Sequence, residues 1–449
     1  MEKQNVSLNR TLTLSAVVLF GLAYMTPMIV FGIFGVLAET THGLVPPAYL
    51  IGLGAMLFTA FSYGKMVQAF PVSGSAYTYT RKAIGPRLGF MVGWSVLLDY
   101  LFLPMVIWLI GAVYLHSAFP SIPTWVWILA FILVTTVINI IGINSTKNIN
   151  FILMIFQILV ILIFIVLSIV SVLNGLGTGT LFSIAPFYQT DVPFSLVIAG
   201  ASIACYSFLG FDAVSTLSEE TIEPEKTIPK AIILITLLGG MIFIGASYFI
   251  QLVQPDYNAF VNTDSAALEI AKQIGGNLFS AVFLAGLIIA QFTSGMSAQT
   301  SAARLIYAMG RDSVLPKKIF GYINPNSRTP ILNVIFIGIV GLLALFLDIT
   351  TSTSFINFGA FMTFIFVNLS VIFHYFINEN RRSGKDIIFF LIFPLIGVIL
   401  DIGLFINLDK NALVLGSIWA TIGFFYLLLL TKFFREAPPE LDIQNDLAG

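Results

Sequence analysis

Apolar runs of roughly 20 residues, the length of one bilayer crossing, recur twelve times along the chain. They lie at roughly 13–38, 47–69, 87–116, 124–142, 150–173, 194–217, 231–253, 276–308, 331–347, 353–377, 387–406 and 412–434. In hydrocarbon a backbone must satisfy its own polar groups, so segments of this length cross as helices. Composition agrees: 58% of the 449 residues are hydrophobic and 10% are charged, against about 25% charged in soluble domains. The connections are short. An all-α integral membrane fold of 12 transmembrane helices is expected, forming a single transmembrane domain over 1–449. The runs at 87–116 and 276–308 are long enough to tilt strongly.

Lys and Arg set the orientation. With the N-terminus in the cytoplasm and alternate crossings, 19 of the 21 basic residues fall inside, the exceptions being Lys272 and Lys410. Losing one crossing in the middle would destroy that asymmetry. Both termini are therefore expected in the cytoplasm of a multi-pass plasma-membrane protein. The first apolar run exceeds a signal-peptide core and shows no small-residue cleavage site, so no removable signal is expected.

Several function classes drop out. A lone cysteine, Cys205, excludes an intramolecular disulfide, and His42, His116 and His374 are too scattered to suggest a metal site. There is no Gly-rich phosphate loop and no Ser-His-Asp arrangement, so neither a cofactor nor an enzyme is expected. A net charge of -1 does not suit nucleic-acid binding.

Two runs are interrupted midway. GLAYMTPMIVFG (21–32) places Thr26-Pro27 inside the first, where proline costs roughly 3 kcal/mol in a helix interior. CYSFLGFDAVSTLSEE (205–220) places Gly210 and Asp212 midway in the sixth, and an acid at that depth costs at least ~2.5 kcal/mol. Each has a bland reading, a kink or a tolerated glycine. Helices one and six occupy matching positions, however, if helices 1–5 and 6–10 form two repeats, the second inverted because five is odd. Repeat one would span about 13–173, repeat two about 194–377, with two peripheral helices at about 387–434. Paired interruptions of this kind point to a transport site. Free N–H ends there suit a carboxylate, and free C=O ends suit an ammonium or cation.

Other candidates are weaker singly. Asp99 and Tyr100 lie inside the third run, about 100° apart on the helix, and Tyr100 offers both a cation–π face and a hydroxyl. Asp99 could equally pair with another helix, and Trp94 suits packing. Glu219 and Glu220 follow the second break by two turns, where they could face Lys226 and Lys230 as a gate or a structural pair. Gln291, Thr293, Ser294 and Ser297 in the eighth run fit close helix packing or an ion site. Asn357 and Asp401 are isolated and carry no expected role.

Motifs carry a resemblance over about Leu12 to Phe434. GLAYMTPM (21–28), FPVSGSAYTY (70–79), GFMVGWSVLLDYLFLP (89–104), CYSFLGFDAVSTLSEET (205–221), IPKAI (228–232) and RLIYAMGRDSVLPKKIFGYINPNSRTP (304–330) are similar to those of the amino acid-polyamine-organocation (APC) superfamily. Within it the chain most resembles the bacterial putrescine importers. The resemblance implies a LeuT-type 5+5 inverted-repeat fold with discontinuous helices 1 and 6 plus two peripheral helices. It also implies secondary active import of a small organic amine, putrescine or another polyamine or an amino acid, by alternating access and usually coupled to protons. Carried over residue by residue, it places substrate binding at Tyr24, Met25, Thr26, Pro27, Tyr100, Phe208, Gly210, Phe211 and Asp212. Asp99, Gln157, Glu219 and Glu220 stand as coupling or gating candidates. Two departures matter. The importers carry an acid shortly after the first break where this chain has Gly32, and some proton-coupled relatives use a Lys in the fifth helix where this chain has Gln157. An amino acid permease that does not carry polyamines is the alternative, and a non-transporting membrane sensor of amines or amino acids is one from another class. The partners implied are the small-molecule substrate, a coupling ion and the lipid bilayer.

Overall fold

The computed structural model of the protein describes residues 10–71, 75–141, 147–218, 220–311, 314–324 and 329–438. Among them the chain is helical, and an isolated bridge between Leu12 and Thr221 provides the β pairing. The first apolar run divides into α1 (Leu14–Met25), α2 (Ile29–Gly32) and α3 (Phe34–Thr40). Then come α4 (Val45–Ala69), α5 (Ser75–Ala83), α6 (Pro86–Ala118), α7 (Thr124–Ile141) and α8 (Lys147–Leu173). In the sixth run α9 (Phe194–Ala204) passes into two 3₁₀ segments, Cys205–Phe208 and Ala213–Leu217. α10 (Pro224–Val253), α11 (Ala266–Arg311), α12 (Lys317–Phe320) and α13 (Ile331–Gly341) follow. α14 (Ile349–Val371), α15 (Gly384–Ile387), α16 (Phe393–Phe405) and α17 (Lys410–Leu430) complete the described chain.

Eleven helices among the described residues are long and apolar enough to cross a membrane, and Ile331–Leu345 is a shorter apolar helix. That shorter segment occupies the ninth expected run, and its C-terminal end tightens into a 3₁₀ turn, Leu342–Leu345. Near Ala266 the helix begins ten residues ahead of the expected run, then breaks at Gly276 (φ 64°, ψ -164°). A side chain at that φ would be strained, so the glycine marks where the membrane-crossing part starts.

Which helices face lipid follows from their surfaces. On α17, Val414, Ile418, Ile422, Phe425 and Leu429 are exposed at three- and four-residue intervals. α8 does the same with Ile152, Ile155, Leu159, Leu162 and Val166. Water would not tolerate stripes this apolar, whereas lipid does. α14 is the opposite: nearly every residue from Ile349 to Val371 is buried, polar Ser354, Asn357 and Asn368 included. It runs through the middle, packed on α6, α4, α16 and α17.

Without a hydrophobic drive between helices in lipid, close approach and hydrogen bonds hold the bundle. A Cβ at Gly240 of α10 would stand 2.6 Å from Leu53 Cδ1 of α4, and one at Gly239 would stand 2.6 Å from Met25 Cε of α1. At the other edge, Trp94 and Trp419 exchange bonds. Each indole Nε1 donates to the other residue's carbonyl at 3.0 Å, and the rings stack at 5.0 Å. Trp94 is a packing residue that fastens α17 to α6. Trp94→Phe and Trp419→Phe each remove one donor and leave the facing carbonyl in place, so each should lower stability in detergent by about 0.5–1.5 kcal/mol, read by thermal unfolding; unchanged unfolding in both variants would show that the exchange contributes nothing.

Candidate functional site

The first break arises where Pro27 cannot continue α1. α1 ends at Met25, and Thr26 takes a left-handed conformation (φ 52°, ψ 85°). That is a rare state for a β-branched residue and costs of order 1–3 kcal/mol. Thr26 repays part locally, its Oγ1 donating to the Tyr24 carbonyl at 3.4 Å and its own carbonyl accepting from the Ile29 amide at 2.8 Å. Pro27 therefore lies ahead of the restarted helix, where a missing N–H costs little.

At the second break, Leu209 is extended (ψ 132°) and Gly210 has φ +107°. Space is as restrictive as φ here: a Cβ on Gly210 would stand 2.3 Å from Tyr24 Cδ1. The two interruptions therefore touch, ring against glycine. Beyond the break, Thr216, Ser218 and Thr221 donate to the carbonyls of Ala213, Ser215 and Leu217 at 2.6, 2.6 and 2.8 Å. The Ser/Thr-rich half thus covers carbonyls that irregular backbone would otherwise leave bare.

Asp212 stands at the head of that half, its Oδ2 accepting from Tyr63 Oη of α4 at 3.2 Å. The Tyr63 ring is boxed edge-on by Tyr79, Phe211 and Phe364, with centroids at 6.2, 5.8 and 6.2 Å. Asp99 and Tyr100 project from α6 into the same neighbourhood. Asp99 lies within electrostatic reach of Asp212, Tyr24 and Tyr206, and its Oδ1 is buried without a hydrogen-bond partner. Pro104, inside α6, withholds the N–H that the Tyr100 carbonyl would accept. Two carboxyls, the Tyr24, Tyr63, Tyr100 and Tyr206 phenols and broken backbone therefore share one region, a setting that suits a cationic ligand.

Other expected site residues lie elsewhere. Met25 packs on Gly239, and the Phe208 ring sits 5.3 Å from Phe243 and 6.5 Å from Tyr49, within the core. The Phe211 ring packs against Tyr63 and Phe364, with centroids at 5.8 and 5.4 Å. Gln157 on α8 is buried with Oε1 unpartnered. Glu220 lends its carbonyl, which accepts from the Thr11 and Leu12 amides at 2.9 and 3.0 Å and ties the approach to α1 to the end of the second break. Glu219 lies outside the described residues. Lys226 pairs with Glu223 at 3.1 Å, an i,i+3 neighbour that the glutamate pair at 219–220 obscured. In α11, Thr293 and Ser297 donate back to Ile289 and Thr293 at 2.9 Å each, as helix packing requires. Near Gly32, a Cβ would stand 3.1 Å from Ile110 Cγ2 and 3.6 Å from Gln291 Nε2, which is itself buried and unpartnered.

Tyr63, Tyr206 and Asn357 escape sequence reasoning. Asn357 Nδ2 of α14 donates to the Ser202 carbonyl in the last turn of α9 at 2.7 Å, a bridge that no spacing reveals.

Long apolar helices, two of them interrupted against one another with acids and phenols beside the breaks, mark a multi-pass membrane protein. A family model described as "Amino acid permease" matches residues 16–431, and the chain belongs to that family, within the APC superfamily. Its relatives are transporters and not enzymes. The low-affinity putrescine importer PlaP of Escherichia coli (strain K12) is 45% identical over 438 residues, covering 97% of each chain. The branched-chain amino acid permease BcaP of Bacillus subtilis (strain 168) is 25% identical, covering 95% of this chain and 94% of that one. A Na⁺-coupled sialic acid symporter, solved substrate-bound and outward-open, shares the fold with a TM-score of 0.54 at 14% identity, over 90% of this chain and 91% of that one.

Gly210→Ala should destabilise the protein by ~1–3 kcal/mol, because the left-handed φ and the Tyr24 ring both resist a Cβ. Gly54→Ala, with no atom within 4 Å of its Cβ, should change little. Equal unfolding midpoints for the two variants would contradict the contact.

Proposed function

We propose that the protein is a secondary importer of small organic amines, of the diamine class that putrescine represents, in the plasma membrane. The observation that carries this reading is the placement of Asp212 and Asp99 beside the contact between Tyr24 and Gly210. Each carboxyl suits one ammonium, and the phenol faces suit the cationic ends and the methylene chain between them. The putrescine importer at 45% identity supports the same substrate class. Twelve crossings, arranged as two inverted five-helix repeats plus two peripheral helices with both termini inside, complete the proposal. The short Ile331–Leu345 helix serves as the ninth crossing. Alternating access moves the broken helices against the rest, and a proton gradient drives uptake.

A second reading is favoured by Gly32, which leaves Gln291 without an acid opposite it. One carboxyl fewer near the first break suits a zwitterionic amino acid, whose carboxylate meets free N–H groups.

Proteoliposomes holding the purified protein should accumulate labelled putrescine under an inward proton gradient. Asp212→Asn should reduce the rate at least ~10-fold, as expected for an ammonium losing its charged partner at 2 kcal/mol or more. Gradient-driven accumulation of a labelled neutral amino acid, with no accumulation of labelled putrescine and no inhibition by putrescine, would transfer the assignment to the second reading. No gradient-dependent uptake of either would refute both.

A further inference from the structure

Away from the two breaks, α16 carries Asp401, a carboxyl in a membrane-crossing helix with 0% exposure. Thr59 of α4 and Asn368 of α14, each also at 0% exposure, converge on it. Thr59 Oγ1 donates to Asp401 Oδ2 at 3.0 Å, and Asn368 Nδ2 donates to the same oxygen at 2.9 Å. Asn368 Nδ2 also reaches Thr59 Oγ1 at 3.0 Å, closing the triad. Gly397, one turn ahead of Asp401, makes the room: a Cβ there would stand 2.6 Å from Asn368 Oδ1.

The triad holds an imbalance. Asp401 Oδ1 and Asn368 Oδ1 are both buried without a hydrogen-bond donor. An ionised carboxylate enclosed at this depth needs a cation or further donors. Among the described residues of the elements packed on α16, namely α14, α4 and α9 with its 3₁₀ continuation, no lysine, arginine or histidine pairs with it. The other titratable group within electrostatic reach is the Cys205 thiol, which is buried beside the second break. A proton bound to Asp401 Oδ1 neutralises the acid and turns that bare oxygen from an acceptor into a donor.

We propose that Asp401 is a proton-binding site of the transporter, occupied in this conformation, and that its proton exchanges during the transport cycle. The triad joins three separate helices, and α4 packs on α9, the helix that leads into the second break; if α4 moves with the broken helices away from α14 and α16, water is admitted to the triad. The Oδ1–H bond then breaks, its electron pair stays on the carboxylate, and the proton passes to water; closure reverses the step. Proton occupancy does not depend on the substrate, and only its role in the cycle rests on the transport reading.

Two measurements separate these. Infrared spectra of the purified protein at neutral pH should show a protonated-carboxyl component that Asp401→Asn removes and Asp401→Glu restores at a shifted frequency. Identical carboxyl regions in wild type and Asp401→Asn would overturn the proposal, whatever the protein transports. In proteoliposomes, Asp401→Asn should cut proton-driven putrescine accumulation at least tenfold and reduce exchange of internal for external putrescine far less. Unaltered accumulation with an unaltered pH profile would overturn the role in the cycle. Thr59→Val covers the case in which Asp401→Asn does not fold. Removing a donor to Oδ2 disfavours the ionised acid, so the alkaline limb of the uptake profile should move to higher pH; a limb that stays in place also counts against the proposal. Wild-type protein that moves no putrescine would count against the transport reading and leave the infrared result to decide proton occupancy.

Discussion

Hydrocarbon offers no hydrogen bonds to a bare backbone, and the rest of this structure depends on that constraint. Helices cross it because they pair their own amides and carbonyls. The exceptions at Thr26-Pro27 and at Leu209–Gly210 survive because they are buried against each other, not against lipid. Tyr24 fills the space that a side chain at Gly210 would need, and the polar groups after each break are met from within the protein.

Around the breaks, the side chains divide by what they must satisfy. Tyr63 anchors Asp212 and is itself held by three rings, so the acid has a fixed direction. Asp99 keeps an unpartnered oxygen, a cost without a structural return unless a ligand supplies the donor. Asn357 steadies the last turn of α9 from α14. That central helix thus connects the second break with the Asp401 triad, because Asn368 lies three turns further along it. A site for an amine and a site for a proton would then share one helix.

Much of this was legible in sequence because lipid imposes a simple period. Run length depends on one residue at a time, so most helices lie near their expected bounds, and Thr26-Pro27 and Gly210 mark both breaks. What escaped depends on pairs far apart in the chain. Tyr63 is one aromatic among many until Asp212 arrives 149 positions later, and Asp401 looked isolated because its partners lie on α4 and α14. Met25 and Phe208, adjacent to the breaks in sequence, turn toward α10 instead, since helix rotation and not chain distance decides which side chain faces the gap. Lys226 is the exception, since its partner Glu223 lies only three positions away.

On the proposed function, the two helix breaks form one amine site with Asp212 as its anchor. An experimental structure of the protein with putrescine bound tests it most directly. Ligand density is expected between Tyr24 and Gly210 on one side and Tyr100 on the other, with one ammonium within hydrogen-bond distance of Asp212 and the second toward Asp99. Putrescine seated elsewhere, with the Tyr63–Asp212 bond and the Tyr24–Gly210 contact unchanged, would contradict it.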